Sequence, residues 1–130
     1  MTDPIADITE LLHKYYDALV RCDTMLLAEV FHPEAHYFTA SDGQLLHLDM
    51  PTYFPIVAGR TSPESTGEAC RYTIDSIELI GPVTALARMH STMMQKHFDD
   101  ILSLIYLDGQ WRIIAKVFHF DPVATDPGAR

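Results

Sequence analysis

The chain has 130 residues, of which 48% are apolar and 21% charged, a composition that fits one domain with its own buried core. Its formal net charge of −9 argues against nucleic acid or an anionic membrane surface as a partner. No apolar run approaches the roughly 20 residues of a membrane span, and no signal peptide is visible at the N-terminus. Cys22 and Cys70 make no disulfide framework, so we expect reduced thiols in a cytoplasmic protein.

The N-terminal part of the chain predicts two helices. Asp3-Pro4 is a typical helix start, because Asp can cap free N–H groups and Pro fits the first helical position. Apolar residues then recur at helical spacing to about residue 20: Ile5, Ile8, Leu12, Tyr15 and Leu19. Asp23 or Thr24 can cap a second, short helix, and we expect Pro33 to end it.

Shorter elements follow. Residues 35–39 and 44–48 predict two strands around a turn at Ser41-Asp42-Gly43. Asp49-Met50-Pro51 predicts a helix start, and that helix should end near Gly59. Residues 60–68 are polar and punctuated by Pro and Gly, which predicts an exposed loop.

The pattern of the second half of the chain predicts strands. Residues 70–80 and 83–95 predict two of them, and residues 98–120 predict a long hairpin whose turn is Asp108-Gly109. Asp and Gly suit a type I′ turn because both central residues need φ > 0. Residues 122–130 carry no pattern and should fray, which leaves an ordered core of about 4–121 within one domain spanning 1–130. Helices followed by antiparallel strands predict an α+β fold, with N-terminal helices packed on a curved, mainly antiparallel sheet.

Two motifs carry a resemblance to a known family. They are Phe31-His32-Pro33-Glu34-Ala35 and the hairpin that contains Asp108-Gly109-Gln110-Trp111-Arg112. Over about residues 5–120 the chain resembles the nuclear transport factor 2-like superfamily, and within it the putative lumazine-binding group near the polyketide-cyclase-like branch. The resemblance implies a cone-shaped fold that encloses a pocket for a small molecule. It also directs attention to Asp100 and Lys116.

Counting back from a two-residue turn predicts which hairpin residues share a face. Asp100 should lie opposite Val117, with His119 as its diagonal neighbour at the end of an apolar face, and Lys116 should face the other way. A bulge would reverse this assignment. A desolvated Asp beside a His suits general acid–base catalysis, so Asp100 and His119 are the candidate catalytic residues. The structural alternative is that Asp100 pairs with Lys116 or His119 only to satisfy its charge.

Aromatic residues supply further ligand-binding candidates. Tyr15 belongs to the core stripe of its helix, so Tyr16 and Tyr37 are the better candidates for pocket phenols. Trp111 is predicted as core, with a stacking platform for a ligand as the alternative. The seven histidines include no HExxH pattern, and we predict no metal. No GxGxxG, P-loop or GxSxG occurs, so no cofactor is expected.

Three functions remain open. The first is a pocket protein for an apolar or aromatic small molecule; the second is an acid–base enzyme of the isomerase, dehydratase or cyclase type. The third is a non-catalytic interaction module. All three include a homodimer, because the second face of the sheet should expose Ile101, Ile105, Ile114 and Phe118.

Overall fold

The fold, obtained as a computed structural model that describes residues 3–123, begins with two capped helices. Helix α1 spans Pro4–Arg21, and the Asp3 carboxylate accepts a hydrogen bond from the Ile5 N–H at 3.0 Å. Helix α2 spans Thr24–Val30, and the Asp23 carboxylate accepts from the Leu26 N–H at 3.0 Å. Both caps agree with the sequence, because a carboxylate placed before a helix satisfies N–H groups that lack an intrahelical partner.

Strand β1, Phe31–Thr39, follows α2 without a loop. The expectation that Pro33 ends the second helix is therefore wrong, since that helix already ends at Val30 and Pro33 lies inside the strand. Proline lacks the N–H that a sheet ladder needs, so it is tolerated where the pairing is irregular. The register of β1 against its neighbour shifts between Phe31 and His36, on either side of this proline.

Three short elements connect the two halves. Strand β2 is Leu46–Asp49, helix α3 is Met50–Ala58 and helix α4 is Pro63–Thr66. The α3 start is as predicted, with the Asp49 carboxylate accepting from the Thr52 N–H at 3.0 Å. The expectation of a loop throughout residues 60–68 is wrong in one respect, because the Ser62 hydroxyl caps the single turn of α4.

The remaining strands complete an open, mixed six-stranded sheet with the order β2-β1-β6-β5-β4-β3. Strand β1 is parallel to β6, and the other neighbouring pairs are antiparallel. The α+β prediction is confirmed. Residues 124–130, which make up most of the predicted frayed tail, lie outside the described residues. The bounds of the four strands are Arg71–Leu79 (β3), Thr84–Met93 (β4), Lys96–Leu107 (β5) and Gln110–Pro122 (β6).

The β5–β6 turn is the one predicted, but the register beyond it is not. Asp108 and Gly109 have φ of 53° and 81°, and Leu107 pairs with Gln110. Further along, Leu104 pairs with Ile113 and Ser103 with Ala115, which leaves Ile114 as an extra residue. This β-bulge shifts every later pair by one position. The predicted pair of Asp100 with Val117 is wrong, because Asp100 pairs with Phe118. Phe98 pairs with Phe120.

The bulge decides which side chains of β6 face the helices, because successive strand residues point to opposite faces. Lys116 and Phe118 are buried beneath the helices, whereas Val117 and His119 lie on the exposed face. Phe118, predicted for the outer face, is therefore an inner residue, and Val117 takes its place outside. Within the part of the chain that the structure describes, no helix is long and apolar enough to cross a membrane.

Candidate active site

A cavity of about 130 Å³ opens between the helices and the inner face of the sheet. Helices α1 and α3, the segment after α3, and strands β1, β4, β5 and β6 all contribute to its wall. Apolar and aromatic side chains make up most of the lining, and a few charged groups lie among them. The lining residues are Leu19, Tyr37, Tyr53, Arg60, Ser91, Met93, Met94, Lys96, Phe98, Asp100, Lys116, Phe118 and Phe120.

Asp100 is the carboxylate of this cavity. Its side chain is held by the Tyr15 hydroxyl, which donates a hydrogen bond to Oδ2 at 2.7 Å. The other oxygen, Oδ1, is buried and has no hydrogen-bond partner among residues 3–123. Asp100 is only 5% exposed. Buried polar atoms are almost always paired, so an unpaired carboxylate oxygen in a cavity wall is an acceptor that a ligand can use.

Lys116 is a buried cation on the same inner face of the sheet as Asp100. It pairs across the strands with Leu102, whereas Asp100 pairs with Phe118, so the two are diagonal neighbours. Such positions lie about 7–8 Å apart, and the two side chains form no ion pair. The Lys116 Nζ lies 4.7 Å from the centroid of the Phe118 ring, 5.3 Å from that of Tyr15 and 5.4 Å from that of Tyr37. Aromatic faces attract a cation, so these rings stabilise the buried ammonium group.

Three tyrosines surround the charged pair. Burial raises the pKa of Tyr53 to about 12. Burial, together with the negative charge of Asp100, raises the pKa of Tyr15 well above its ordinary value. Burial also raises the pKa of Tyr37, although the positive charge of Lys116 opposes the shift. All three phenols are therefore protonated near neutral pH and can donate a hydrogen bond.

The structure places three of the six predicted site residues in the cavity and three elsewhere. Tyr37, Asp100 and Lys116 line it. Tyr16 stacks on Tyr72 with centroids 3.9 Å apart, and its hydroxyl lies beside the Cys70 thiol. Burial raises its pKa. Tyr16 is therefore outside the cavity that Tyr37 lines.

His119 and Trp111 are the other two. The His119 ring is exposed and contacts the Ser41 hydroxyl at 2.8 Å and Asp121 at 3.1 Å, so the predicted Asp100–His119 pair is wrong. The bulge is the reason, because it turns His119 to the outer face. Trp111 packs on Tyr106 with centroids 5.4 Å apart, near the hairpin turn. It borders a separate depression of about 530 Å³, whose wall includes acids and bases but no buried carboxylate.

Sequence reasoning missed Tyr15, Tyr53 and Arg60 as contributors to the site. Tyr15 was assigned to the core stripe of α1; it is indeed buried, but its hydroxyl also contacts Asp100, which lies 85 positions away in the sequence. Tyr53 and Arg60 come from α3 and the segment after it. Tyr53 is one of several tyrosines on elements that would line a cone, but nothing in the local sequence distinguishes it from the others. Nothing in the local sequence marks Arg60.

The outer face of the sheet carries two groups of polar contacts. The His90 ring lies between the carboxylates of Asp75 and Asp99 and contacts both. On β1 and β2, the His36 and His47 rings contact each other at 2.7 Å. Among residues 3–123, no three His, Cys, Asp or Glu side chains are grouped so that they could hold a metal ion.

The comparisons with known proteins agree with this architecture. The family described as putative lumazine-binding matches residues 3–119. The chain belongs to this family. It shares its fold with solved NTF2-like proteins. An NTF2-like protein of unknown function from Shewanella baltica has a TM-score of 0.81 at 22% identity, covering 94% of this chain and 99% of that one. One from Silicibacter pomeroyi has a TM-score of 0.77 at 24% identity, covering 90% and 95%.

Two further relatives have names that refer to a reaction. Aldolase FrzH from Cladobotryum sp is 27% identical over 110 residues, which is 83% of this chain and 84% of that protein. A ketosteroid isomerase-like protein from Erwinia carotovora atroseptica has a TM-score of 0.72 at 10% identity, covering 92% of this chain and 98% of that one. At this identity the second likeness shows the fold alone, which is the cone that the sequence resemblance implied.

The hydrogen bond between Tyr15 and Asp100 predicts a difference between two neighbouring tyrosines. Tyr15→Phe leaves the buried Asp100 carboxylate without its donor and should lower the free energy of unfolding by about 2 kcal/mol. Tyr16→Phe is the matched control. It removes a buried hydroxyl whose neighbour is the Cys70 thiol, a weak hydrogen-bond partner, and should lower the free energy of unfolding by clearly less than Tyr15→Phe does. Urea unfolding of both variants measures the difference, and an equal loss in both would contradict the assigned role of Tyr15.

The raised tyrosine pKa values predict a loss of stability in alkali. Between pH 10 and about 12 the unfolded chain has released the Tyr53 proton, whereas the folded protein still holds it. Deprotonation therefore favours the unfolded state, and the free energy of unfolding should fall by about 1.4 kcal/mol per pH unit for this group alone. Urea unfolding at several pH values tests this, and Tyr53→Phe should make the fall less steep. A slope that is the same in the variant would contradict the assignment.

Proposed function

We propose that the protein is an acid–base enzyme that binds a small carbonyl compound in the cavity and takes a proton from the carbon next to the carbonyl. The observation that carries this proposal is the Asp100 carboxylate, which is buried in a cavity lined mostly by apolar and aromatic side chains, with Oδ1 unpaired among the described residues. A carboxylate that is desolvated and held in place is suited to act as a general base. The sequence predicted proton transfer by Asp100 and His119, and we retain this role for Asp100 only.

The proposed step uses the two charged groups and one phenol. Asp100 Oδ1 takes the proton as the C–H bond breaks, and the electron pair moves onto the carbonyl oxygen to give an enolate. The Lys116 ammonium group or the Tyr37 hydroxyl donates a hydrogen bond to that oxygen, because both line the same cavity. Tyr15 donates to Oδ2 and fixes the orientation of the carboxylate. Return of the proton to another carbon would complete an isomerisation.

The relatives support this class of chemistry. An aldol reaction also begins with loss of a proton beside a carbonyl, and one relative is named an aldolase. Family and fold together suggest a ligand-binding or isomerase-like function. In the aldol case the enolate would attack a second carbonyl carbon instead of recovering the proton. Asp100 and Lys116 would serve either outcome.

A second candidate function is binding without catalysis. The rings of Tyr37, Tyr53, Phe98, Phe118 and Phe120 line much of the cavity, and such a wall suits a flat aromatic ligand. The family description, which names lumazine binding, supports the same possibility. A module that acts only through its surface would need no internal cavity, so the cavity favours the two functions that use one.

We also propose a homodimer in the cytoplasm, formed through the outer face of the sheet. Ile101 and Val117 are 45% and 46% exposed at the centre of this face. Arg88 and His90 lie on the same face as Asp99, so groups of both signs are available for a self-complementary contact despite the net charge of −9. A second copy is therefore the proposed occupant.

Replacing the base tests the enzymatic proposal. Asp100→Asn keeps the shape and the Tyr15 contact but cannot accept a proton. Exchange of α-protons for deuterium in a panel of small ketones and oxo acids, followed by NMR, should slow by roughly 10²–10⁴-fold. The matched control is Asp99→Asn, whose side chain lies on the opposite face and contacts His90. Unchanged exchange in Asp100→Asn would exclude Asp100 as the base, and absence of exchange in the wild type alongside ligand binding would favour the non-catalytic function.

The dimer is tested separately. Ile101→Lys places a charge at the centre of the exposed apolar face and should convert a dimer to a monomer in light scattering coupled to gel filtration, because burying an unpaired ammonium is costly. Met25→Lys is a suitable control, since Met25 is 83% exposed on α2 and lies away from the sheet. A wild-type protein that is monomeric, or a variant that remains dimeric, would contradict this interface.

A further inference from the structure

The charge of the cavity wall is opposite to the charge of the protein. The chain carries 18 acidic and 9 basic side chains, whereas Arg60, Lys96 and Lys116 line the cavity with a single carboxylate, Asp100. A third of the lysines and arginines of the chain therefore converge on this one cavity. Like charges brought together raise the energy of the folded state unless a counter-charge is present.

Within residues 3–123, these three cations have no carboxylate partner of their own. The ion pairs among residues 3–123 involve Lys14, Arg21, His90 and His119, and none involves a cation of the cavity. The three cations lie over aromatic rings instead. The Arg60 Cζ is 6.0 Å from the Tyr53 centroid, the Lys96 Nζ is 4.7 Å from that of Phe120, and Lys116 lies over the rings described above. The Arg60 guanidinium group also contacts the Tyr53 hydroxyl. Because a guanidinium group has five N–H donors and an ammonium group has three, each cation keeps donors that can bind an anion.

Depth separates the cations into two groups. Lys116 is 4% exposed and lies at the same inner face as Asp100. Lys96 is exposed at the start of β5, and Arg60 is half-buried after α3, so both belong to the mouth of the cavity. The cavity therefore has a reactive inner end and a positively charged entrance.

We propose that the substrate is a small oxo acid, whose carbonyl group lies between Lys116 and Asp100 and whose carboxylate is held by Arg60 and Lys96. The position of the carbonyl group rests on the proposed function. The position of the carboxylate does not, because it is argued from the positive charge of the entrance. A guanidinium group binds a carboxylate through two parallel hydrogen bonds, which suits Arg60. The volume limits the size, since an apolar cavity of roughly 150 Å³ admits benzene and this one is about 130 Å³.

Pyruvate and butan-2-one form a matched pair of probes, because a neutral ethyl group in the second replaces the carboxylate of the first. Binding of each is measured by NMR titration, and α-proton exchange is measured in deuterium oxide. The wild-type protein should bind pyruvate at least about tenfold more tightly than the neutral ketone, a difference of about 1.4 kcal/mol. Arg60→Gln and Lys96→Gln should each reduce that preference about fivefold, as expected for the loss of one charge-assisted contact.

Lys14→Gln is the control for charge alone. Lys14 lies on α1, outside the cavity and away from the outer face of the sheet, so its removal changes the net charge by the same amount and should leave the preference unchanged. Equal affinity for the two probes, or an equal effect of Lys14→Gln, would overturn the proposal. Asp100→Asn separates the enzyme proposal from the oxo-acid proposal. If this variant keeps the preference for pyruvate but abolishes exchange, both proposals stand. If exchange in the wild type occurs equally with the neutral probe, the enzyme proposal stands and the oxo-acid proposal fails.

Discussion

The β-bulge at Ile114 is the feature on which the candidate site depends. Strand residues alternate between faces, so one extra residue reverses the orientation of every side chain beyond it. On β6 this turns Lys116, Phe118 and Phe120 towards the helices. A regular hairpin would have directed Val117 and His119 inward. The same sequence would then present an imidazole to Asp100, where the bulged strand presents an ammonium group surrounded by aromatic rings.

Asp100 and Lys116 are both almost fully buried, yet they do not contact each other. Desolvation penalises each charge, and the compensation comes from different sources. The Tyr15 hydroxyl binds one carboxylate oxygen, while three ring faces surround the ammonium group. Because the carboxylate and the ammonium group do not contact each other, both can interact with a ligand that lies between them. A ligand with a polarised carbonyl would complete the set of interactions that the protein leaves incomplete.

Helix α1 therefore contributes to the site as well as to the core. Its buried face packs on the sheet through apolar residues such as Ile8 and Leu12, and Tyr15 extends that face with a hydroxyl that reaches β5. The packing of the helix and the orientation of the Asp100 carboxylate are consequently coupled. The outer face of the sheet is chemically separate from this arrangement. There, Asp99 contacts His90 although it is adjacent in sequence to Asp100, which shows how completely the alternation of strand residues divides the two environments.

The features that the sequence alone determined are local. Asp3, Asp23 and Asp49 cap helices because the donors they satisfy lie two or three residues away, and Asp108-Gly109 forms its turn because both residues tolerate positive φ. The α+β class and the choice of Tyr37 and Asp100 as site residues followed from such signals. Lys116 followed from the family resemblance alone, because the predicted register wrongly turned it to the outer face. The bulge at Ile114, the contact of Tyr15 with Asp100 and the arrival of Arg60 at the cavity were decided only by tertiary structure. Each depends on how distant segments pack. A bulge leaves one strand residue without its inter-strand hydrogen bonds, so it is stable only when the burial of the side chains that it reorients offsets that loss. That balance involves residues from the whole chain, so no local pattern could have displayed it.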